Sequence, residues 1–439
     1  MLSEIIPSGK VSPAAPSKID STWWDEFLKN SKNFTDTIVV KNVLSEKECH
    51  EMTQMALEVI RELCTRKTNA YDFRIYIDGA HKNGDYMNNH VYPYPPMVDE
   101  DVPTWVNRAF GDQKFGMIIN YGEKFSHALS QRLAEYAAPL LKKIGMPLNG
   151  MCVTIFLGNY AYTPLGIHQD HKGENVIHFH LGPGGKVMYN WEPDEFKTLP
   201  NAKQNCMEIE PLLPYAKKFE FGRSDVFYMP WDKFHVGSSE ELSLGVTLWF
   251  NNPTRKALMS KILDAIKIQY VNTEDLTITT PEKDLKGFSG FSNIESLLKL
   301  EDRHKQLPFK TFLKDVYQEY MYALYSNGGW WARPLSLEQS IEYNENEYEH
   351  LADKYIRAIS PFRIYYKVLT AEEKLLVFTR ASKIEIRYHP ALANILDKIN
   401  TGETLEVHAL LQELAQDWPE EAGLYFLSLI YNKRGIEIV

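Results

Sequence analysis

Two stretches, Leu165-Gly-Ile-His-Gln-Asp-His171 and Asp225-Val-Phe-Tyr-Met-Pro-Trp-Asp-Lys-Phe-His-Val-Gly237, decide how this chain is read. His168 and Asp170 stand two apart, so on a strand or strand end they project to one face while Gln169 points away. His235 comes from a separate strand, after a Pro-containing turn and before the alternating Leu242-Ser-Leu-Gly-Val-Thr-Leu-Trp-Phe250. Two imidazoles and one carboxylate are the protein ligands of the facial triad that holds non-haem iron(II). A triad gathered from two ends of a sheet leaves one side of the metal open, with room for a bidentate co-substrate and dioxygen.

The surroundings of the motif read as short strands. Met151-Cys-Val-Thr-Ile-Phe-Leu157 is apolar and β-branched, and Asn175-Val-Ile-His-Phe-His-Leu181 and Lys186-Val-Met-Tyr-Asn-Trp191 follow on either side of Gly182-Pro-Gly-Gly185. This pattern predicts a β-barrel with polar residues aimed inward. His178 and His180 alternate onto one face, where they can serve as ligands in a three-histidine site or orient ligands and co-substrate.

Tyr162-Thr-Pro-Leu-Gly-Ile-His-Gln-Asp170, Leu181-Gly-Pro-Gly-Gly-Lys-Val-Met-Tyr-Asn-Trp-Glu-Pro193 and Phe221-Gly-Arg-Ser-Asp-Val-Phe-Tyr-Met-Pro-Trp-Asp-Lys-Phe-His235 resemble the cupin-type JmjC oxygenases, above all their ribosomal-oxygenase branch of protein hydroxylases. The resemblance covers residues 110 to 255. It implies an α+β protein with a double-stranded β-helix (jelly-roll/cupin) barrel, then a helical region and a C-terminal winged helix. It further implies iron(II) held by His168, Asp170 and His235, with 2-oxoglutarate as co-substrate and no catalytic side chain beyond the metal centre. Lys186 falls where many of these enzymes keep the cation that pairs with the distal carboxylate of 2-oxoglutarate, and an ammonium facing inward needs such an anion. Asn175, His178, His180, Thr247 and Trp249 complete the expected co-substrate surroundings, and Arg223 is the next basic residue for the anchor. The Asn175–Gly182 run is also similar to the aspartyl/asparaginyl β-hydroxylases, although no Arg lies between His235 and Arg255 to hold their co-substrate.

Upstream, Thr37-Ile-Val-Val-Lys-Asn-Val-Leu44 predicts a strand, and the capping box Ser45-Glu-Lys-Glu48 a helix through Leu63. Tyr71 to Trp105 has no clean period and reads as loop-rich, whereas Ser126 to Ile144 carries apolar residues at helical spacing. The length, 439 residues, exceeds one core. Four regions are expected: 1–110, an N-terminal α/β and loop-rich extension; 111–255, the catalytic barrel; 256–367, a helical linker or dimerisation region; and 368–439, a winged helix. Within them, Arg255–Tyr270 reads as a helix and Asn272–Gly290 as a loop. Ser292-Asn-Ile-Glu295 reads as a capping box opening a helix that runs to Ser326, and burial is the expectation for Trp330-Trp331. The last region orders as a hairpin (Leu375–Phe378 with Lys383–Tyr388), a helix through Ile399, helices Leu405–Gln416 and Ala422–Tyr431, and a final strand.

Charge and composition exclude several classes. Net charge is −10, and Glu403, Glu406, Glu413, Asp417, Glu420 and Glu421 make the C-terminal region acidic, which opposes a phosphate backbone. No apolar run spans a membrane, no signal-peptide pattern opens the chain, and Cys49, Cys64, Cys152 and Cys206 have neither metal-type nor disulfide-framework spacing. The expectation is a cytoplasmic enzyme that hydroxylates a protein or peptide side chain, with homodimer formation through residues 292–350 an open alternative to a monomer. A precursor peptide of a ribosomally made natural product is one substrate class, because similar winged helices bind leader peptides. The rivals are a non-catalytic cupin-like protein-binding module and a different metalloenzyme, either a three-histidine dioxygenase or a zinc hydrolase.

Overall fold

Apolar residues alternate along the central strands and recur at helical spacing along two long helices, and the fold buries the two sets against each other. The computed structural model describes residues 18–68, 73–272, 274–279, 281, 290–334, 348–412, 414 and 418–439. Helix α1 (Ser21–Asn30) leads into strand β1 (Ile38–Val40) and helix α2 (Glu46–Arg66). α2 starts on its capping box, with Glu48 N donating to the Ser45 hydroxyl at 3.2 Å and Ser45 N donating to the Glu48 carboxylate at 2.8 Å.

The stretch expected to be loop-rich is more regular than that. Tyr71 and Asp72 lie outside the described residues, and beyond them come β2 (Arg74–Ile77), β3 (Ala80–His81), α3 (Gly84–His90) and α4 (Val102–Phe110). β2, with four residues, and α3, which buries only Met87, are too short to show a period, whereas α4 buries Val102, Trp105, Val106 and Phe110 at helical spacing, a set that runs on past Trp105. Next are β4 (Phe115–Asn120) and α5 (His127–Ile144), the latter capped by the Ser126 hydroxyl.

Eight strands then follow: β5 (Met151–Gly158), β6 (His168–Gln169), β7 (Glu174–Pro183), β8 (Lys186–Trp191), β9 (Lys217–Phe221), β10 (Val226–Met229), β11 (Phe234–Ser238) and β12 (Ser243–Asn251), with the short helix α6 (Pro193–Phe196) after β8. They divide between two antiparallel sheets in jelly-roll order. The large sheet runs β1-β10-β7-β12-β5-β4-β2-β3, and the small one β6-β11-β8-β9. The N-terminal region is therefore continuous with the barrel, supplying β1 to one edge of the large sheet and β2–β3 to the other.

Strand alternation explains why this sheet carries both a core and a site. Val153, Ile155 and Leu157 of β5 and Ile177 and Phe179 of β7 turn to the helical side, where Trp24, Leu57, Ile60, Leu133 and Leu140 join them in one buried cluster. Burying each such leucine stabilises the fold by about 1.5–3 kcal/mol. The intervening residues, Cys152, Thr154, Phe156, Val176 and His178, line a cavity on the opposite face.

Behind that cavity, Glu123 is buried, with one carboxylate oxygen accepting from Val153 N at 2.8 Å and the other, Oε1, without a partner among the described residues. Burial pushes its carboxyl from 4.5 up to about 8. A folded-state value above the unfolded one means that the stability carried by the protonated form is complete below about 4.5 and is lost as pH rises through about 8. Glu123→Gln should therefore gain on the parent as pH rises, by on the order of a few kcal/mol at pH 8 and almost nothing at pH 4. Urea unfolding at both pH values measures this, and a gap that does not widen with pH refutes it.

Downstream, helix α7 (Arg255–Tyr270) forms as its periodicity indicates. The expected loop Asn272–Gly290 falls largely outside the described residues. The expected capping box at Ser292 does not form: α8 spans Phe291–Glu295, so Ser292 lies inside it. Leu297 and Leu298 belong to no helix, α9 (Asp302–Lys305) is one turn, and α10 (Phe309–Ser326) starts only after Pro308, whose ring ends any continuous helix from 292. Trp330 is 1% exposed, as expected, but Trp331 is 42% exposed. Much of the stretch 292–350 is described, but residues 335–347 are not.

The remaining elements are β13 (Tyr355–Ala358), β14 (Tyr365–Leu369), β15 (Lys374–Thr379), β16 (Ser382–Arg387), α11 (Pro390–Ile399), β17 (Leu405–Glu406), α12 (Val407–Leu411), α13 (Glu420–Asn432) and β18 (Ile436–Ile438). The helix expected over Leu405–Gln416 opens instead as β17 and the single turn of α12; Glu413 and residues 415–417, Asp417 among them, lie outside the described residues. β14-β15-β16 form one sheet and β17-β13-β18 another, so the final strand pairs with β13 and not with the hairpin. Leu351, Ile356 and Ile364 share a core with Leu392, Ile395, Phe426 and Leu427.

Candidate metal centre

β6 and β11 are neighbours in the small sheet, with His168 directly opposite His235. That register, with Asp170 just past the end of β6, brings one donor atom of each residue within 4.8 Å of the others. His168 Nε2 lies 4.0 Å from Asp170 Oδ1, and His235 Nε2 lies 3.9 Å from Asp170 Oδ2. The outer ring nitrogens are committed: His168 Nδ1 bonds Gly166 O at 2.8 Å and His235 Nδ1 bonds Lys233 O at 3.2 Å. Carbonyls accept only, so both Nδ1 atoms carry the proton and both Nε2 lone pairs face inward, the arrangement metal-binding histidines need.

The electrostatics call for a cation. Asp170 Oδ2 is buried without a hydrogen-bond partner among the described residues. Burial pushes the Asp170 carboxyl up to about 6 and holds both imidazoles down to about 4. Neutral imidazoles beside an unpaired buried carboxylate form a donor set that suits a divalent first-row metal.

The triad opens into a cavity of about 460 Å³ that also takes in Lys186, His178, Thr247 and Trp249. Lys186 is buried. Its ammonium donates to the Tyr160 hydroxyl at 3.1 Å, lies 5.1 Å from the centre of the Phe156 ring, and forms no ion pair among the described residues. Gly237, two residues beyond His235, makes room for it: a Cβ there would meet Lys186 Cε at 3.2 Å and Met188 Sδ at 2.9 Å. Gly245 does the same for His178, whose ring would lie 2.0 Å from an added Cβ.

Other expected site residues fall elsewhere. His178 Nδ1 bonds the Thr247 hydroxyl at 2.8 Å, and His180 Nε2 bonds Gly184 O at 2.8 Å; neither joins the triad, and His180 does not line the cavity. Trp249 Nε1 donates to the Thr154 hydroxyl at 2.8 Å, which fixes the indole in the cavity wall. Asn175 is a correction to the expected co-substrate contacts. It has the opposite parity to Val176 and His178 on β7, so it turns to the other face, where it accepts from the Tyr228 hydroxyl at 3.3 Å. Arg223 is also placed away from the cavity, paired with Glu46 at 2.8 Å and with Leu181 O. Sequence reasoning missed Arg74, Glu174, Lys261 and Trp331, all of which line the cavity. Only Glu174 carried a local signal, as the residue sharing the parity of Val176 and His178.

A jelly-roll pair of sheets with two imidazoles and a carboxylate converging on its inner cavity defines a candidate metal centre in a β-barrel. No protein-family model matches the sequence, and no curated protein matches it. Among solved structures the chain is similar to YcfD, a ribosomal oxygenase from Escherichia coli, at 14% identity and a TM-score of 0.45 over 94% of this chain and 97% of that one. A YcfD structure in complex with cobalt and 2-oxoglutarate gives 13% identity and a TM-score of 0.46 over 94% and 98%. Oxalate decarboxylase from Bacillus subtilis matches over 31% of this chain and 26% of its own, at 10% identity and a TM-score of 0.19.

Proposed function

We propose that this chain is an iron(II)- and 2-oxoglutarate-dependent oxygenase, built on a double-stranded β-helix of cupin type, that hydroxylates a side chain of a protein or peptide. The observation that carries this reading is one cavity holding both the His168–Asp170–His235 donor set and a buried lysine with no carboxylate partner among the described residues. The donor set fits the metal, and Lys186 fits a dicarboxylate.

His168, Asp170 and His235 would hold the metal. Lys186, steadied by Tyr160, would hold the distal carboxylate of the co-substrate, with the Thr247 hydroxyl and His178 lining its path. Bound together, iron(II) and 2-oxoglutarate use dioxygen to put one oxygen atom into a C–H bond, the co-substrate leaving as succinate and carbon dioxide. Val176, Met188, Phe221, Phe227 and Met229 give that space dry walls, which keep bulk water from the reacting groups.

A three-histidine centre is disfavoured because His178 and His180 spend their ring nitrogens on Thr247, Gly184 and each other. We read residues 348–439 as the C-terminal winged-helix module, starting ahead of position 368 because Leu351 and Ile356 lie in its core and β13 pairs with β18. Glu403, Glu406, Glu420 and Glu421 are exposed on it, which favours polypeptide over nucleic acid. No helix among the described residues is long and apolar enough to cross a membrane, and all four cysteines are free, which suits a cytoplasmic setting. Met259, Leu263, Ile268 and Phe309 are exposed apolar side chains around the helical region, the surface through which a homodimer would form.

The deciding experiment mixes purified protein with iron(II) and 2-oxoglutarate under air and follows succinate. Metal-dependent succinate formation that stops with a chelator is expected even without the target, as slow uncoupled turnover. Zinc retained as the sole tight metal, with no succinate formed, would replace this reading with a hydrolase.

A further inference from the structure

The wall of the cavity includes one side chain set by a distant part of the chain. Trp331 lines the cavity and carries the ammonium of Lys261 3.4 Å from its ring centre, yet the segment that holds it, Gly329–Ala332, is irregular backbone with no strand or helix of its own. Two sets of bonds fix that segment. Met151 N donates to Gly329 O at 2.7 Å and Trp331 N to Met151 O at 2.9 Å, stitching it to the start of β5. From the other side, the buried Asn327 amide donates to Trp330 O at 3.1 Å and to Ala332 O at 2.9 Å, so its two bonds bracket Trp331.

Asn327 is in turn held by Arg380, which belongs to the C-terminal unit. Arg380 and Ala381 form the two-residue turn between β15 and β16, both with positive φ, 46° and 58°, a conformation glycine or asparagine takes at lower cost. The Arg380 side chain leaves its own unit and is 1% exposed. Its Nε donates to Asn327 Oδ1 at 3.0 Å, Nη1 to His127 Nδ1 at 3.3 Å and Nη2 to the Ser130 hydroxyl at 3.3 Å, while the guanidinium lies 3.6 Å over the Phe362 ring. All of these partners are neutral or held neutral, and the guanidinium meets no carboxylate among the described residues. A buried cation with no counter-charge is a poor way to stabilise a junction. A rigid planar fork that reaches three acceptors at once is a good way to place one of them.

We infer that Arg380, acting through Asn327, is a positioning residue for Trp331, so that docking of the C-terminal unit sets one wall of the cavity in which the target side chain is received. The role of the cavity rests on the oxygenase reading; the mechanical link from Arg380 to Trp331 does not. The C-terminal unit is thereby coupled to the reaction as well as to target capture: any partner that shifts the β15–β16 turn also shifts the indole.

The test reads the indole directly. The full chain is labelled with 5-fluorotryptophan, the resonance of residue 331 is assigned by its loss in Trp331→Phe, and spectra are taken with no metal, co-substrate or turnover. In Arg380→Gln and Arg380→Lys the residue-331 resonance should move or broaden, while Trp105 in α4 and Trp418 in the C-terminal unit keep theirs. Failure of Lys to restore it marks the fork and not the charge as the working feature. Asn327→Asp covers the case in which the Arg380 variants do not fold. It keeps an acceptor for Arg380, now as an ion pair, but removes both donors to Trp330 O and Ala332 O, so residue 331 should move with the junction intact. An unmoved residue-331 resonance in folded Arg380→Gln or in Asn327→Asp overturns the proposal. Because no turnover is measured, that result leaves the oxygenase reading untouched, and absence of succinate formation leaves this one untouched.

Discussion

His235→Ala should abolish succinate formation and lower the affinity for manganese(II), a redox-quiet stand-in for iron(II), by well over the ~100-fold that loss of a supporting bond alone costs. Asp170→Ala should do the same, but the two should part company in the stability of the metal-free protein. Asp170 Oδ2 is buried without a hydrogen bond among the described residues, so removing that carboxylate relieves an unpaired charge, and the metal-free Asp170→Ala protein should melt no lower than the parent. His235 gives up a bond to Lys233 O and a buried ring, so His235→Ala should melt lower. Adding manganese(II) should raise the melting temperature of the parent and of neither variant. Calorimetric titration with manganese(II) and paired melts give the answer, and full metal affinity in His235→Ala would mean that the triad is misassigned.

How much of this was legible in the sequence follows from the range over which each signal acts. A strand repeats every two residues, so His168 and Asp170 announce a shared face locally, and the strands around them show in their β-branched runs. The same rule, applied strictly, excludes Asn175 from the cavity, because parity with Val176 and His178 decides which side of β7 a residue serves. The N-terminal strands were hidden by brevity: β2 and β3 are strands because a neighbouring sheet edge offers them partners, and four residues cannot declare that. The Ser-x-x-Glu pattern at Ser292 is local only: α8 starts one residue before it and buries none of its residues, and Pro308 separates it from α10. Lys261 and Trp331 were illegible for a different reason. They reach the cavity from α7 and from the loop after α10, and no spacing connects position 261 or 331 to position 168. Lys261 is placed by the packing of α7, and Trp331 by a segment bonded both to Met151 and to Asn327.

Lys186→Met should raise the 2-oxoglutarate concentration needed for half-maximal turnover by two orders of magnitude or more, since removing one partner of a buried ion pair costs about 3–5 kcal/mol. Methionine keeps most of the length and the apolar contacts with Phe156 and Tyr160, so the fold should hold and the loss can be assigned to the ammonium. Manganese(II) affinity should stay within about twofold of the parent, because among the described residues Lys186 bonds Tyr160 and no member of the triad. Arginine should not rescue it. Lys186 fits beside Gly237, where an added Cβ would already meet its Cε at 3.2 Å, and its ammonium lies between the Phe156 and Tyr160 rings, a fit that a wider planar guanidinium does not share. Succinate formation against 2-oxoglutarate concentration, with a parallel manganese(II) titration, separates the two effects. An unchanged requirement in Lys186→Met would move the anchor to the other arginine or lysine on the cavity wall whose charge is unmet. Arg74 is the first of these to replace, because its buried Nε has no partner among the described residues, whereas Arg223 is already spent on Glu46 outside the cavity.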